Sequence, residues 1–417
     1  MKKLIIALTL GAALSASAQT TLSNAKLKQD PQSRIVEITY DLAGPAPSYY
    51  ITVGIETNGV PIPDPVTLGG DVTTPLLLDP IVPGTGKKIF WNAKKDWPGE
   101  LTTDARAVVT AWFTDDPPAV LSTYVVFDLS GGPSAPNYPK RYSVLPPNLS
   151  DDTCRTTELW LRRIPKGTFT MGSPAGELGR QESFIVWGCS ETQHEVTLTK
   201  DFYIGVFTVT QKQWDLVMGG INPSTHPGDT RPVETVSYDM IRGSGNGAQY
   251  PASNQVDAGS FMGVLRTKTL LTFDLPTEAQ WEYACRAGTT NALNSDKNLS
   301  ATYTFCPNMA EVGRYDNNKN DGKGGYNEHT KVGCYAPNAW GLYDMHGNIL
   351  ENCLDRFQPD LGGAPVSDPT GAGTFTDRST KGGTYVLPAF TCRSAWRLGV
   401  PPTLANSTLG FRACIQP

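Results

Sequence analysis

The chain has 417 residues, a formal charge of −5 and no basic stripe, so electrostatics exclude a polyanion such as nucleic acid as the expected partner. Its 41 glycines and 33 prolines point to a loop-rich or β-rich body and exclude a helical bundle. The length exceeds one ordinary core and all eight cysteines lie beyond residue 150, so two domains are expected.

The first residues, MKKLIIALTLGAALSASA, carry two lysines, an apolar run from Leu4 to Leu14 and a small-residue ending at Ala18. This is the layout of a cleavable secretory signal over 1–18, which places the mature start near Gln19. Without Lys2 and Lys3 the formal charge becomes −7. No later apolar run approaches the roughly 20 residues that span a bilayer, and no cysteine follows the signal to take a lipid. An exported protein is expected, secreted, periplasmic or held at the cell surface, with no transmembrane segment.

From Arg34 to Leu42 the residues Val36, Ile38, Tyr40 and Leu42 alternate with Ile35, Glu37, Thr39 and Asp41, the period of a half-buried strand. A second strand, Tyr49–Glu56, runs into Asn58-Gly59, a turn pair suited to positive φ. Further strands are predicted over 87–93, 105–113 and 122–129. Residues 19–130 therefore read as an all-β sandwich of immunoglobulin or fibronectin type. No histidine or cysteine lies in 19–150, so this part is expected to dock or space rather than to react. Residues 131–152, GGPSAPNYPKRYSVLPPNLSDD, are rich in proline, glycine and serine and read as a linker to a domain over 153–417.

In that second domain Thr210 with Gln213 opens a helix that Gly219 stops, and Thr277 with Gln280 opens another that Gly288 closes. Trp214 and Trp281 are expected to face the core. The four histidines, His194, His226, His329 and His346, show no close ligand spacing, so structural or surface roles are expected for them. No G-x-S-x-G or phosphate-binding loop appears.

Taken together, GTFTMGSP, YIGVFTVTQKQW, RPVETVSY, LPTEAQWEYACRAGT, GLYDMHGN and the closing KGGT and LGFRAC resemble the formylglycine-generating enzyme, or sulfatase-modifying factor, domain, with coverage from about Trp160 to Cys414. The resemblance implies an α+β fold with little regular structure, related to C-type lectins. It also implies an oxidase that converts a sulfatase cysteine to formylglycine with oxygen and a copper(I) ion held by two thiolates. Counting from Gly382-Gly383, the second thiolate falls on Cys392 and the first on Leu387, which cannot bind metal, so copper is not expected. The active-site serine position is Thr384. The G-N-x-W-E-W phrase reads Gly347-Asn348-Ile349-Leu350-Glu351-Asn352, so Leu350 stands where a tryptophan lines the oxygen pocket of the enzymes.

The resemblance further implies calcium on Asp344, the carbonyls of Gly347 and Ile349, and Glu351, since hard oxygen donors suit that ion. A second calcium site would start at Asn308 and Met309, with its aspartate position near Gly324 and Asp321 close by. Export permits disulfides, and an accessible thiol outside the cell tends to oxidise. Cys392 is expected to pair with Cys353. Cys285 with Cys414 resembles a family bridge, and Cys306–Cys334 and Cys154–Cys189 would use the rest, although sequence alone does not fix the connectivity.

Two kinds of function compete. The first is a binding or display protein, similar to the variable proteins of diversity-generating retroelements, that meets an extracellular protein or surface ligand. Its candidate contacts are Tyr385, Val386, Leu387, Pro388, Phe390, Trp396, Leu398, Val400, Thr403 and Leu404, set among the frame residues Cys392, Arg393, Ala395 and Arg397. The second is an oxidoreductase acting on a sulfatase cysteine; a structural envelope protein is a further alternative.

Overall fold

A computed structural model describes residues 5–12, 20–30, 32–57, 60–61, 67–74, 79–96, 104–114, 117, 121–180, 189–220, 222–371 and 375–416. The chain divides into two compact units, one of residues 1–123 with 142–144 and one of 124–141 with 145–417.

Alternation of apolar and polar side chains builds the first unit. Val36, Ile38, Tyr40 and Leu42 are buried while their neighbours are not, as a period of two requires. Ile35–Ala43 lies between Thr21–Gln29 and Gly84–Asn92, and Leu68–Gly70 completes that sheet. A second sheet runs Ile5–Ala12, Asp104–Phe113, Tyr49–Thr57 and Val60–Pro61. Ile38, Tyr40 and Ile89 of one sheet and Ile51, Ile55 and Val109 of the other join a single buried cluster. Two sheets thus share one core. The stretch expected as a signal is a strand over Ile5–Ala12, parallel to Asp104–Phe113; the cleavage position at Ala18 and the Asn58-Gly59 turn lie outside the described residues.

The domain boundary differs from the expected 130. Tyr124–Asp128 pairs antiparallel with Glu158–Ile164, so this strand belongs to the second unit. Its alternation was legible, but its partner lies 30 residues onward, where strand period gives no guidance. Residues 131–152 are not a free linker either. Tyr138 is buried, its hydroxyl donates to Leu216 O at 2.9 Å, and Lys268 Nζ donates to Pro133 O at 2.6 Å. Composition rich in proline marks irregular backbone, and here that backbone is held by side chains from elsewhere.

In the second unit the Glu158–Ile164 strand continues through Phe202–Gly205 and Cys414–Ile415 to Phe273–Asp274. Both predicted helices carry complete capping boxes, at Gln211–Met218 and Glu278–Arg286. Trp214 and Trp281 are buried as expected. The second helix ends on Ala287 in the left-handed region at φ 47°, one residue before the glycine expected to close it. A further sheet places Arg378–Lys381 between Arg397–Val400 and Leu350–Arg356, with Leu409–Gly410 beyond. The loop of residues 382–396 joins Arg378–Lys381 to its antiparallel neighbour Arg397–Val400. Among the described residues no helix is long and apolar enough to cross a membrane.

Candidate functional site

The loop begins where Lys381 ends its strand. Gly382 and Gly383 adopt φ values of 98° and 71°, which side-chain-bearing residues rarely reach. A Cβ on Gly383 would sit 2.6 Å from Cys392 Sγ and 2.6 Å from Thr391 O, so the glycine is also needed for contact. Thr384 then turns the chain, with the Val386 amide donating to its Oγ1 at 3.2 Å and the Leu387 amide to its carbonyl at 3.3 Å. Leu387 O accepts from the Asp316 amide at 3.0 Å, and a short 3-10 turn over Ala389–Cys392 returns the chain to the core.

Cys392 is fully buried. Its Sγ lies 3.9 Å from Thr384 O and 3.9 Å from Thr391 Oγ1, and burial pushes the thiol up to about 12. Leu387 is half-buried and Leu350 packs with Trp396, Val400 and Leu409. This donor set does not fit an ion held by two thiolates, because one of the two positions is a hydrocarbon.

All eight cysteines are free thiols, which corrects every expected disulfide. Each sulfur has its own surroundings. Cys285 Sγ lies 3.8 Å from His346 Nε2 and 3.6 Å from Ser394 Oγ; Cys189 Sγ donates to Arg397 O at 3.0 Å, and Cys154 Sγ to Asn148 O at 3.3 Å. Cys353 and Cys414 are buried with Cys285 in one apolar cluster, whereas Cys392 belongs to another with Cys306 and Phe390. These cysteines fill space as small apolar side chains.

Of the candidate contact residues, Tyr385, Phe390, Trp396 and Val400 are buried, Val386 and Thr403 are exposed, and Leu387, Pro388, Leu398 and Leu404 lie between. The loop lacks a visible period because half of it is core. Tyr385 also gathers two of the histidines: its hydroxyl is 3.1 Å from His226 Nε2, and the His226 and His329 rings lie 5.4 Å apart. His329 Nε2 faces Glu234 at 3.6 Å, and burial lowers the histidine's pKa. His346 is fixed differently, between Cys392 O at 2.6 Å and the Asn294 amide at 3.0 Å, which places its proton on Nδ1.

The frame arginines hold the loop through partners that sequence reading did not name. Arg393 donates to Glu177 Oε1 and both oxygens of Glu191, each at 2.7 Å, and to the carbonyls of Gly179 and Phe390. Arg397 binds Glu278 in bidentate fashion at 2.5 and 2.7 Å. Lys381 Nζ donates to Glu282 Oε2 at 2.9 Å, and Glu282 is drawn down to about 2, burial opposing and the Lys381 and Arg286 cations prevailing. The available signal was the T-E-A-Q-W-E phrase, whose acids at i and i+4 share one helix face.

At the expected calcium site, Asp344 is buried; one carboxylate oxygen accepts the Gly333 amide at 2.7 Å and Oδ1 has no partner. Burial pushes this carboxyl up to about 6. An orphaned oxygen of that kind fits a hard cation. Glu351 does not fit as its companion. Arg412 takes both of its oxygens at 2.7 Å, and Trp281 Nε1 adds a third bond at 2.7 Å. At the second site Asn308 Nδ2 donates to Asn298 O, Met309 is buried, and Asp321 is occupied by Arg314, the Lys323 amide and Tyr335. Asp321, the acid close to that site's expected aspartate position, is therefore already engaged by three donors.

Asp355, near the same helix, accepts the Glu278 amide at 2.8 Å, and burial, followed by the Glu278 charge, pushes it up to about 8. Its folded pKa lies above the unfolded value. The stability it contributes is therefore complete below about 4 and is lost as pH rises through 8. Asp355→Asn is expected to melt like the wild type near pH 4 and to gain about 2–5 kcal/mol over it by pH 9. Chemical denaturation at the two pH values measures the difference; an equal gain at both would refute the assignment.

The sequence profile of the family described as "Sulfatase-modifying factor enzyme 1-like domain" matches residues 148–417. The chain is 33% identical over 150 residues to the formylglycine-generating enzyme of Streptomyces coelicolor, covering 33% of this chain and 45% of that protein. It therefore spans about half the length of that relative. It is 26% identical over 290 residues to the inactive C-alpha-formylglycine-generating enzyme 2 of Mus musculus, covering 60% of this chain and 83% of that protein. Among solved structures, PvdO from Pseudomonas aeruginosa superposes with a TM-score of 0.50 at 24% identity, covering 62% of this chain and 94% of that one.

Proposed function

The chain belongs to the sulfatase-modifying factor enzyme family through residues 148–417, and from that premise we propose that it is a non-catalytic binding protein whose contact surface is the outer part of the loop after Gly383. One observation carries the reading. The two positions where the family holds copper are here Cys392 and Leu387, and Leu387 offers no donor. A two-coordinate copper site loses its basis when one thiolate is absent. That a mouse relative is named inactive is in keeping with this reading.

The contact surface is narrower than sequence alone implied. Val386, Leu387 and Pro388 reach solvent, and exposed Tyr303 packs on Phe390 at 5.1 Å between ring centroids. An apolar, aromatic surface of this kind suits an extracellular protein or a surface ligand with apolar faces. Calcium stays within the proposal at Asp344 with the Gly347 and Ile349 carbonyls, without Glu351. The first unit would dock or space the second, as an immunoglobulin-like or fibronectin-like module does.

Incubating the full chain with copper(I), oxygen and a cysteine-containing sulfatase peptide tests the reading by mass spectrometry. No formylglycine is expected, and its appearance would return the protein to the oxidases. Peptide and glycan arrays test the binding surface directly. Val386→Asp with Pro388→Asp is expected to cost at least about tenfold in affinity, roughly 1.4 kcal/mol, with unchanged melting. Undiminished binding by that double variant would place the contact elsewhere. A near-copy of the DNA encoding 381–414, differing mainly at adenines and beside a reverse-transcriptase gene, would identify the diversified version of this function.

A further inference from the structure

A cavity of about 430 Å³ lies apart from the loop after Gly383 and shares no residue with positions 384–400. Its size is that of a site for a small molecule. Its lining residues include Glu278, Asp355, Asp368 and His194 and, among the described residues, no lysine or arginine, while Val366 and Leu361 supply apolar wall.

The acids are not equivalent. Glu278 is neutralised by the bidentate Arg397, at 2.5 and 2.7 Å. Asp368 is occupied by Thr199, which donates its amide at 2.9 Å and its hydroxyl at 2.5 Å. Asp355 remains. It is only 4% exposed, it forms no salt bridge among the described residues, and its one bond from another residue is the Glu278 amide on Oδ2. Its Oδ1 lies beside Gly371, where a Cβ would approach to 2.9 Å, so only a glycine lets the chain pass this close to the carboxyl, and both residues line the cavity. His194 adds an acceptor rather than a donor. Its Nδ1 is 3.1 Å from Thr192 O, and a carbonyl only accepts, so the neutral ring carries its proton there and leaves Nε2 bare.

We propose that this cavity binds a small organic cation, an ammonium or guanidinium group on a short apolar chain, with the cationic end on Asp355 and the chain against Val366 and Leu361. A buried carboxyl without a counter-charge is costly to ionise, and an entering cation supplies the missing charge. The pKa of Asp355, raised to about 8, is in keeping with that absence. Calcium is a poor alternative because it needs six to eight oxygens, and these walls are partly hydrocarbon.

The test uses the full chain above pH 8, titrated calorimetrically with n-butylammonium chloride and, at matched ionic strength, with sodium chloride. Saturable binding of n-butylammonium is expected, at least tenfold weaker in Asp355→Asn and in Thr370→Trp, which fills the mouth from an exposed position. Sodium is expected to give no saturable signal. Absence of saturation with n-butylammonium, wild-type affinity in either variant, or saturation by sodium would overturn the proposal.

Discussion

Replacing Arg393 by leucine is expected to lower the melting temperature of the second unit by about 10 °C, a loss of about 3–5 kcal/mol. Arg393 is wholly buried, and so are both of its acids; its guanidinium satisfies three carboxylate bonds and two carbonyls at once. Leucine preserves volume but leaves Glu177 and Glu191 facing each other without a cation. Burial already raises the pKa of Glu177, while Glu191 is held low against burial by the hydrogen bonds and charge of Arg393. Without the arginine both carboxyls titrate upward. The deficit should therefore shrink as pH falls and a proton replaces the lost cation. Thermal melts followed by circular dichroism at pH 5 and pH 8 measure this. A shift below about 2 °C at pH 8 would show that the arginine is not the loop's anchor.

The same residues show what a sequence discloses and what it does not. Alternation in Ile35–Ala43 and the two capping boxes were legible because each depends on neighbours within a few positions. The phrases around Trp281 and Gly341 were legible as a family pattern. The partners of Arg393 lie 202 and 216 positions away, and nothing local marks which acid an arginine will meet. The cysteines mislead for a related reason. Export makes bridges chemically permissible, but pairing requires the Cβ atoms to converge, and Cys353 and Cys392 pack in separate apolar clusters. Tyr385 and Trp396 look like contact residues in a loop without period, yet both serve as core because the loop folds back on itself. The cavity beside Asp355 is assembled from strands, a helix and a turn drawn from Met171 to Gly371, so no single phrase could announce it.

Glu351→Ala should cost about 3–5 kcal/mol, and the cost should be the same with calcium present or chelated. The carboxylate joins three parts of the second unit: its own strand Leu350–Arg356, Arg412 of the terminal segment and Trp281 of the capped helix. Arg412 also donates to Gly205 O at 2.8 Å and Tyr343 O at 3.0 Å, so removing Glu351 leaves a buried guanidinium with carbonyls but no counter-charge. Its three bonds at 2.7 Å take up three of a carboxylate's roughly four lone-pair sites and pair its charge with Arg412, so a metal would have to compete with the arginine for it. Asp344 behaves differently, because its free Oδ1 is the atom a cation would use. Any stabilisation by calcium should therefore survive Glu351→Ala and vanish in Asp344→Asn. Denaturation of both variants with calcium and with chelator separates the roles. If the cost of Glu351→Ala disappears under chelation, the carboxylate is a metal ligand and its pairing with Arg412 is secondary.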